Sequence, residues 1–220
     1  VYIAAQNLDG IIDTYKRLYE INNEDKYLEK LVQGYILKED FDGAITFLEK
    51  TNNADIYLYD LYRHKNLFNK ALEIAKRFYE DDKNPKWLAE QAVLTFEKAT
   101  NKDDKNMLQE VIELFEEAFK LGEKDPLYLN YYGYTLIDKD IDLEKGMDAV
   151  IKAVFQERDN HYYLDSLAWG YYKQNECKKA YEVMKKVIEI GGFEEPEVVE
   201  HWEAISKCYD PKKKINSEDK

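Results

Sequence analysis

Between His161 and Glu194 the apolar residues fall in a spacing that few folds accept. Leu164, Leu167, Ala168 and Tyr171 stand at i, i+3, i+4 and i+7, and after Asn175 the set Ala180, Met184 and Val187 recurs every three or four residues. That period belongs to two amphipathic helices, hinged near Gln174-Asn175-Glu176, and together they predict one helical hairpin. The same grammar runs back along the chain. Leu28, Leu31, Val32 and Tyr35 predict a leading helix, and Ala44, Leu48 and Thr51 its return. Leu58, Tyr59 and Tyr62 turn at Lys65-Asn66 into Ala71, Ala75 and Phe78. Trp87, Leu88, Gln91, Ala92 and Thr95 lead into Leu108, Val111, Leu114, Phe115 and Ala118 across a longer polar connection, Asn101 to Asn106. Leu129, Tyr132-Gly133 and Leu136 lead into Gly146, Val150 and Ala153.

Repetition is visible in the punctuation too. Asp9-Gly10 precedes the face of Ile11, Ile12, Tyr15 and Leu18 as Asp42-Gly43 precedes Ala44, and Asn52-Asn53 reads as a tight turn. Asn84-Pro85, Asp125-Pro126 and Glu195-Pro196 each open a leading helix, where proline fits the first turn. The residues that start the returning helices are Ile11, Ala44, Ala71, Val111, Gly146 and Ala180, giving gaps of 33, 27, 40, 35 and 34 residues. A period near 34 with a large residue, Leu and a small residue, an aromatic, a turn, then small and bulky residues resembles the tetratricopeptide repeat. The family's closing proline is replaced here by Gly191-Gly192.

That resemblance implies an all-α, right-handed superhelical solenoid of antiparallel helix pairs, about 12–13 helices in all. After Glu195-Pro196 one more helix, carrying Val199, Trp202 and Ile205, resembles the solvating helix that closes such stacks. We expect one repeat domain over residues 1–209 and a charged, frayed tail over 210–220. Because the chain opens without Met on Val1-Tyr2-Ile3-Ala4-Ala5, we expect Val1 to Gln6 to be the last turns of a first helix, in a piece of a longer protein.

In the family, leading helices line the concave face and the side chains not used between repeats touch the ligand. Carried onto this sequence, the resemblance selects Asn130, Tyr134 and Ile137 from one leading helix, and Tyr162, Asp165, Trp169, Tyr172 and Lys173 from the next. Helix geometry supports the second set: Leu164, Leu167, Ala168 and Tyr171 already satisfy one face, so Tyr162, Trp169 and Tyr172 make another aromatic surface. Such a surface is either a further packing interface, with Trp169 against Tyr134, or a binding site. Some members hold a partner's C-terminal carboxylate with Lys and Asn. The place for a second Asn holds Tyr134, so no such clamp is expected.

The resemblance therefore implies a non-enzymatic scaffold for a protein or peptide partner, or alternatively a regulatory or targeting module of a larger enzyme or envelope assembly. Chemistry motifs are lacking: no HExxH, phosphate-cradling glycine loop or nucleophile elbow occurs, and no cofactor is expected. Asp138, Asp140, Asp142 and Glu144 alternate like a calcium loop, but Leu143 and Ala149 stand where Gly and Glu are needed, so a solvated turn is expected. His161 and Asp165 could share a helix face, yet two ligands make no metal site, and His64 and His201 stand alone. The net charge of −13 opposes nucleic acid and anionic membranes, and no run is long and apolar enough to insert in a bilayer.

Cys177 and Cys208 fall at the same end of an antiparallel pair of helices. Helix phase decides whether they bond or remain two reduced thiols. Finally, Leu129-Asn130-Tyr131-Tyr132-Gly133-Tyr134 with Leu164-Asp165-Ser166-Leu167-Ala168-Trp169 resembles the C-terminal repeats of Gram-negative bacterial proteins, often exported. This implies a periplasmic or envelope location, with the cytoplasm as the alternative.

Overall fold

The computed structural model describes residues 7–52 and 54–209, and among these residues it contains twelve α-helices and no strand. The readings made on Val1 to Gln6, on Asn53 and on 210–220 lie outside the described residues. The chain divides into two compact units, residues 1–100 and 101–220, with the division at the start of the polar connection. None of the described helices is long and apolar enough to cross a membrane.

The N-terminal unit holds α1 (Leu8–Asn22), α2 (Asp25–Leu37), α3 (Phe41–Leu48), α4 (Asp55–His64), α5 (Phe68–Asp82) and α6 (Lys86–Lys98). Consecutive helices pack on one another throughout it. The two Asp-Gly pairs are parts of one capping device. Asn7 accepts from the Gly10 N–H and Asp40 from the Gly43 N–H, each at 3.0 Å, satisfying a donor at the helix start. The core runs through Leu28, Leu31, Ala44, Leu48, Ala71 and Ala75, each at most 1% exposed. In α1 the buried face is Ile12 and Tyr19, while Ile11 is 37% exposed. The expected face is thus rotated by one residue, because Tyr19 rather than Leu18 completes the i, i+7 pair. Trp87 is wedged between Tyr59 and Phe78, with ring centroids 5.3 and 4.6 Å away.

The C-terminal unit holds α7 (Lys105–Lys120), α8 (Pro126–Asp138), α9 (Leu143–Gln156), α10 (His161–Lys173), α11 (Cys177–Glu189) and α12 (Pro196–Cys208), with a single 3₁₀ turn at Gly192–Glu194 before the last. Helices α8 and α9 approach until backbones touch. A Cβ on Gly133 would lie 2.7 Å from the Gly146 carbonyl, so neither position accepts a side chain without moving a helix. Val111, Phe115, Val150, Ala168, Ala180, Met184 and Val187 are fully buried along the seam.

Four leading-to-returning turns share one construction. Glu39, Asn66, Asp140 and Asn175 each take a left-handed conformation, φ 51 to 62°. The next residue's N–H then reaches back to the carbonyl of Tyr35, Tyr62, Leu136 or Tyr171 at 2.7–3.0 Å. This is the Schellman closure, which satisfies the orphan carbonyls of the helix end, and Asn and Asp tolerate its left-handed position better than most residues.

Candidate partner-binding face of the C-terminal unit

Three leading helices, α8, α10 and α12, lie side by side, α10 touching both others. Asp125 and Asn160 cap α8 and α10 by accepting from the N–H groups of Leu127 and Tyr162. This fixes where each helix begins and hence its rotation. Leu164 and Ala168 are committed to the core shared with α11, Tyr171 and Tyr172 pack against that core, and Trp169 packs against the core of Ile137, Met147, Val150 and Leu167.

Most of the residues selected on the shared face from sequence are brought together, and they meet one another. Asp165 is 6% exposed and its carboxylate lies 3.0 and 3.1 Å from Nδ1 of His201 on α12, itself 4% exposed. Facing a carboxylate, Nδ1 must carry the proton and donate. The indole of Trp169 stacks on the imidazole at 4.1 Å and 15°, and Tyr172 stacks on the indole in turn at 4.8 Å and 17°. Trp169 Nε1 donates to Asp138 at 3.3 Å. Lys173 spans 2.9 Å to Asp140 and passes over the indole. The Tyr134 hydroxyl donates to Glu197 and lies 3.5 Å from Nε2 of His201. Burial first, then the Glu197 carboxylate, pushes that hydroxyl well above its ordinary range, so it stays protonated and remains a donor.

Ile137 departs from expectation: it is fully buried, packed with Met147, Val150 and Leu167, so it belongs to the core and offers a partner nothing. Its side chain follows Gly133 toward α9, because the glycine contact rolls α8 inward. Tyr162 is 51% exposed, with its hydroxyl 3.4 Å from Glu195. The side-chain oxygen of Asn130 is buried and unpartnered. Beside the stack, Tyr172, Lys173 and Asn175 face Glu200, Ala204 and Lys207 across an open cleft of about 740 Å³.

Sequence reading missed His201, which reads as a lone histidine. The signal was there in phase: Val198, His201 and Ile205 fall at i, i+3 and i+7, and these are the buried residues of α12. Of the expected face through Val199, Trp202 and Ile205, Ile205 is buried, while Val199 and Trp202 are half-buried, Trp202 lying against Tyr181, 5.3 Å away. The carboxylates of the calcium-like stretch are employed locally: Asp142 caps α9, Asp138 holds Trp169 and Asp140 holds Lys173. Cys177 and Cys208 are bonded, with Cα atoms 5.6 Å apart, within the usual span of a disulfide.

Helix pairs closed by one kind of turn, with small residues at the close approaches, define a helical-repeat protein. The likeness to solved structures is specific: the chain has the tetratricopeptide-repeat fold. The Cut9 and Hcn1 hetero-tetramer of the APC/C matches with TM-score 0.67 at 13% identity over 93% of this chain, which spans 40% of the length of that chain. YrrB, described as a TPR protein with an unusual peptide-binding site, matches with TM-score 0.56 at 13% identity, over 82% of this chain and 93% of that one. A thermophilic TPR protein of Thermus thermophilus, TTC0263, matches with TM-score 0.58 at 14% identity, over 90% and 98%. No protein-family model and no curated protein matches the sequence.

Proposed function

We propose that this chain is a non-enzymatic interaction scaffold whose C-terminal unit receives a peptide or protein segment along α8, α10 and α12, with no role for nucleic acid or a cofactor. One observation carries the reading: Tyr172, stacked on Trp169, stands with Lys173 on α10 beside an open cleft whose other wall is α12. Two roles divide the residues there. Tyr172 and Lys173 line the cleft and, with the exposed Tyr162 at the other end of α10, make the contacts. Asp165, Tyr134 and most of Trp169 hold the rim in place through His201 and Glu197. The peptide-binding site in the name of YrrB is in keeping with this use of the fold.

The test is selection of peptides from a random displayed library against the intact chain. Enriched peptides should compete for one site, and replacing Tyr162 and Tyr172 together by Ala should weaken them by about tenfold or more, as loss of aromatic anchors does, with helicity by circular dichroism unchanged. A library that yields no binder, or binders indifferent to the double replacement, rejects the reading.

A further inference from the structure

The last helix is the least supported wall of this face. Its inner side contributes Val198, His201 and Ile205, while the exposed Glu200, Glu203 and Lys207 line the cleft. Helices α9 and α10, by contrast, are packed on both sides. At its far end α12 is fastened covalently, Cys208 to Cys177 at the start of α11, and these are the chain's two cysteines. Cys208 is exposed and lines the cleft with Tyr172 and Lys173; Cys177 is half-buried.

We propose that the Cys177–Cys208 bond is a redox-operated clasp that fixes α12 as the outer wall of the cleft, so that the face exists in its assembled form in the oxidised chain. The inference rests on the reading of this face as the binding site. An external dithiol supplies the electrons. Its thiolate attacks Sγ of Cys208, the more exposed of the two residues, and the Cys177 thiolate leaves and takes a proton. The reductant's second thiol then attacks the mixed disulfide and releases Cys208 as a thiol. One disulfide is reduced, one dithiol is oxidised to its cyclic disulfide, and two cysteine thiols result. Cutting a bond that closes 31 residues of chain restores freedom to the helix end. What remains on α12 is Val198 and Ile205 in the core, Trp202 against Tyr181, the Tyr134 hydroxyl on Glu197, and the polar knot at His201. Fraying from Cys208 inward opens the cleft wall first and then lifts the imidazole from Trp169.

Hydrogen exchange followed by mass spectrometry on the intact chain, with and without dithiothreitol, tests this. Amides of α12 should exchange at least tenfold faster when reduced, those of α9 should not change, and reoxidation should restore the slow rate. The Cys177→Ser/Cys208→Ser variant should match the reduced chain and ignore the reductant. Equal protection of α12 in both states overturns the clasp. So does loss of protection throughout α7 to α12 on reduction, which would make the bond a plain structural staple. Faster exchange in a chain that selects no peptide would reject the proposed function and leave the clasp standing; equal exchange in a chain that binds peptide would do the reverse.

Discussion

The two units solve one problem with different side chains. Each buries a carboxylate on a leading helix, and each must pair it, since an unpaired buried charge is costly. In the N-terminal unit Glu90 of α6, 4% exposed, accepts from the Tyr59 hydroxyl at 2.6 Å with the Arg63 guanidinium at 3.5 Å, both on α4. In the C-terminal unit Asp165 is met by His201 beneath the Trp169 ring. Arg63 is 40% exposed on its side chain, whereas both members of the second pair are under 9%. A partly solvated cation can be replaced by water; a sealed imidazole cannot. Helix lengths differ as well: α3 and α4 of the N-terminal unit are only 8 and 10 residues long, whereas α8 to α12 of the C-terminal unit are nearly uniform at 13 or 14 residues.

The sharpest contrast comes from removing each partner. His201→Ala should cost about 3–5 kcal/mol, because Asp165 is left buried and alone, while Arg63→Ala should cost no more than about 1 kcal/mol. Urea unfolding gives both values, and equal costs would break the distinction. Next in size, Ala180→Trp at a fully buried seam position should overpack α10 against α11 and cost roughly 1–3 kcal/mol. Tyr59→Phe removes one donor from Glu90 and should cost about 1–2 kcal/mol, more than Arg63→Ala if the hydroxyl is the stronger partner.

The smallest effect concerns a likeness between the units. Glu49 accepts from Tyr62 at 2.8 Å and from Lys70 at 2.7 Å, as Glu116 accepts from Tyr132 at 2.8 Å and Lys145 at 2.9 Å. The lysine first, then the tyrosine hydroxyl, holds each carboxyl below its ordinary value of 4.5. A folded value below the unfolded one adds stability that is present above the unfolded value and lost as pH falls through the folded one. Tyr62→Phe and Tyr132→Phe should therefore each flatten the loss of stability on acidification below about pH 4.5. A flattening in one unit and not the other would show that the two triads are not equivalent.

Much of the fold was legible because apolar period and turn chemistry agree. Asn66 and Asn175 marked turns, which the structure makes left-handed, and Pro85, Pro126 and Pro196 marked helix starts. The candidate face was legible as a set of residues but not as a network. Trp169 and Tyr172 were readable as lying off the Leu164 face, yet both pack against core residues, and their neighbour His201 lies on α12, 36 residues from Asp165. No local pattern encodes that meeting. One-residue errors arose in α1 and at Val199 of α12, where two adjacent apolar residues, Ile11-Ile12 and Val198-Val199, offered alternatives. Ile137 was misplaced for a related reason: the Gly133 and Gly146 contact rotates α8 further toward α9 than spacing alone implies.

The leading helices α10 and α12 of the C-terminal unit meet through Asp165 and His201. A double-mutant cycle of Asp165→Ala and His201→Ala, read by urea unfolding, addresses that pairing without intermediaries. A coupling energy of about 1–3 kcal/mol is the predicted result, and single effects that add to within about 0.5 kcal/mol would contradict the account.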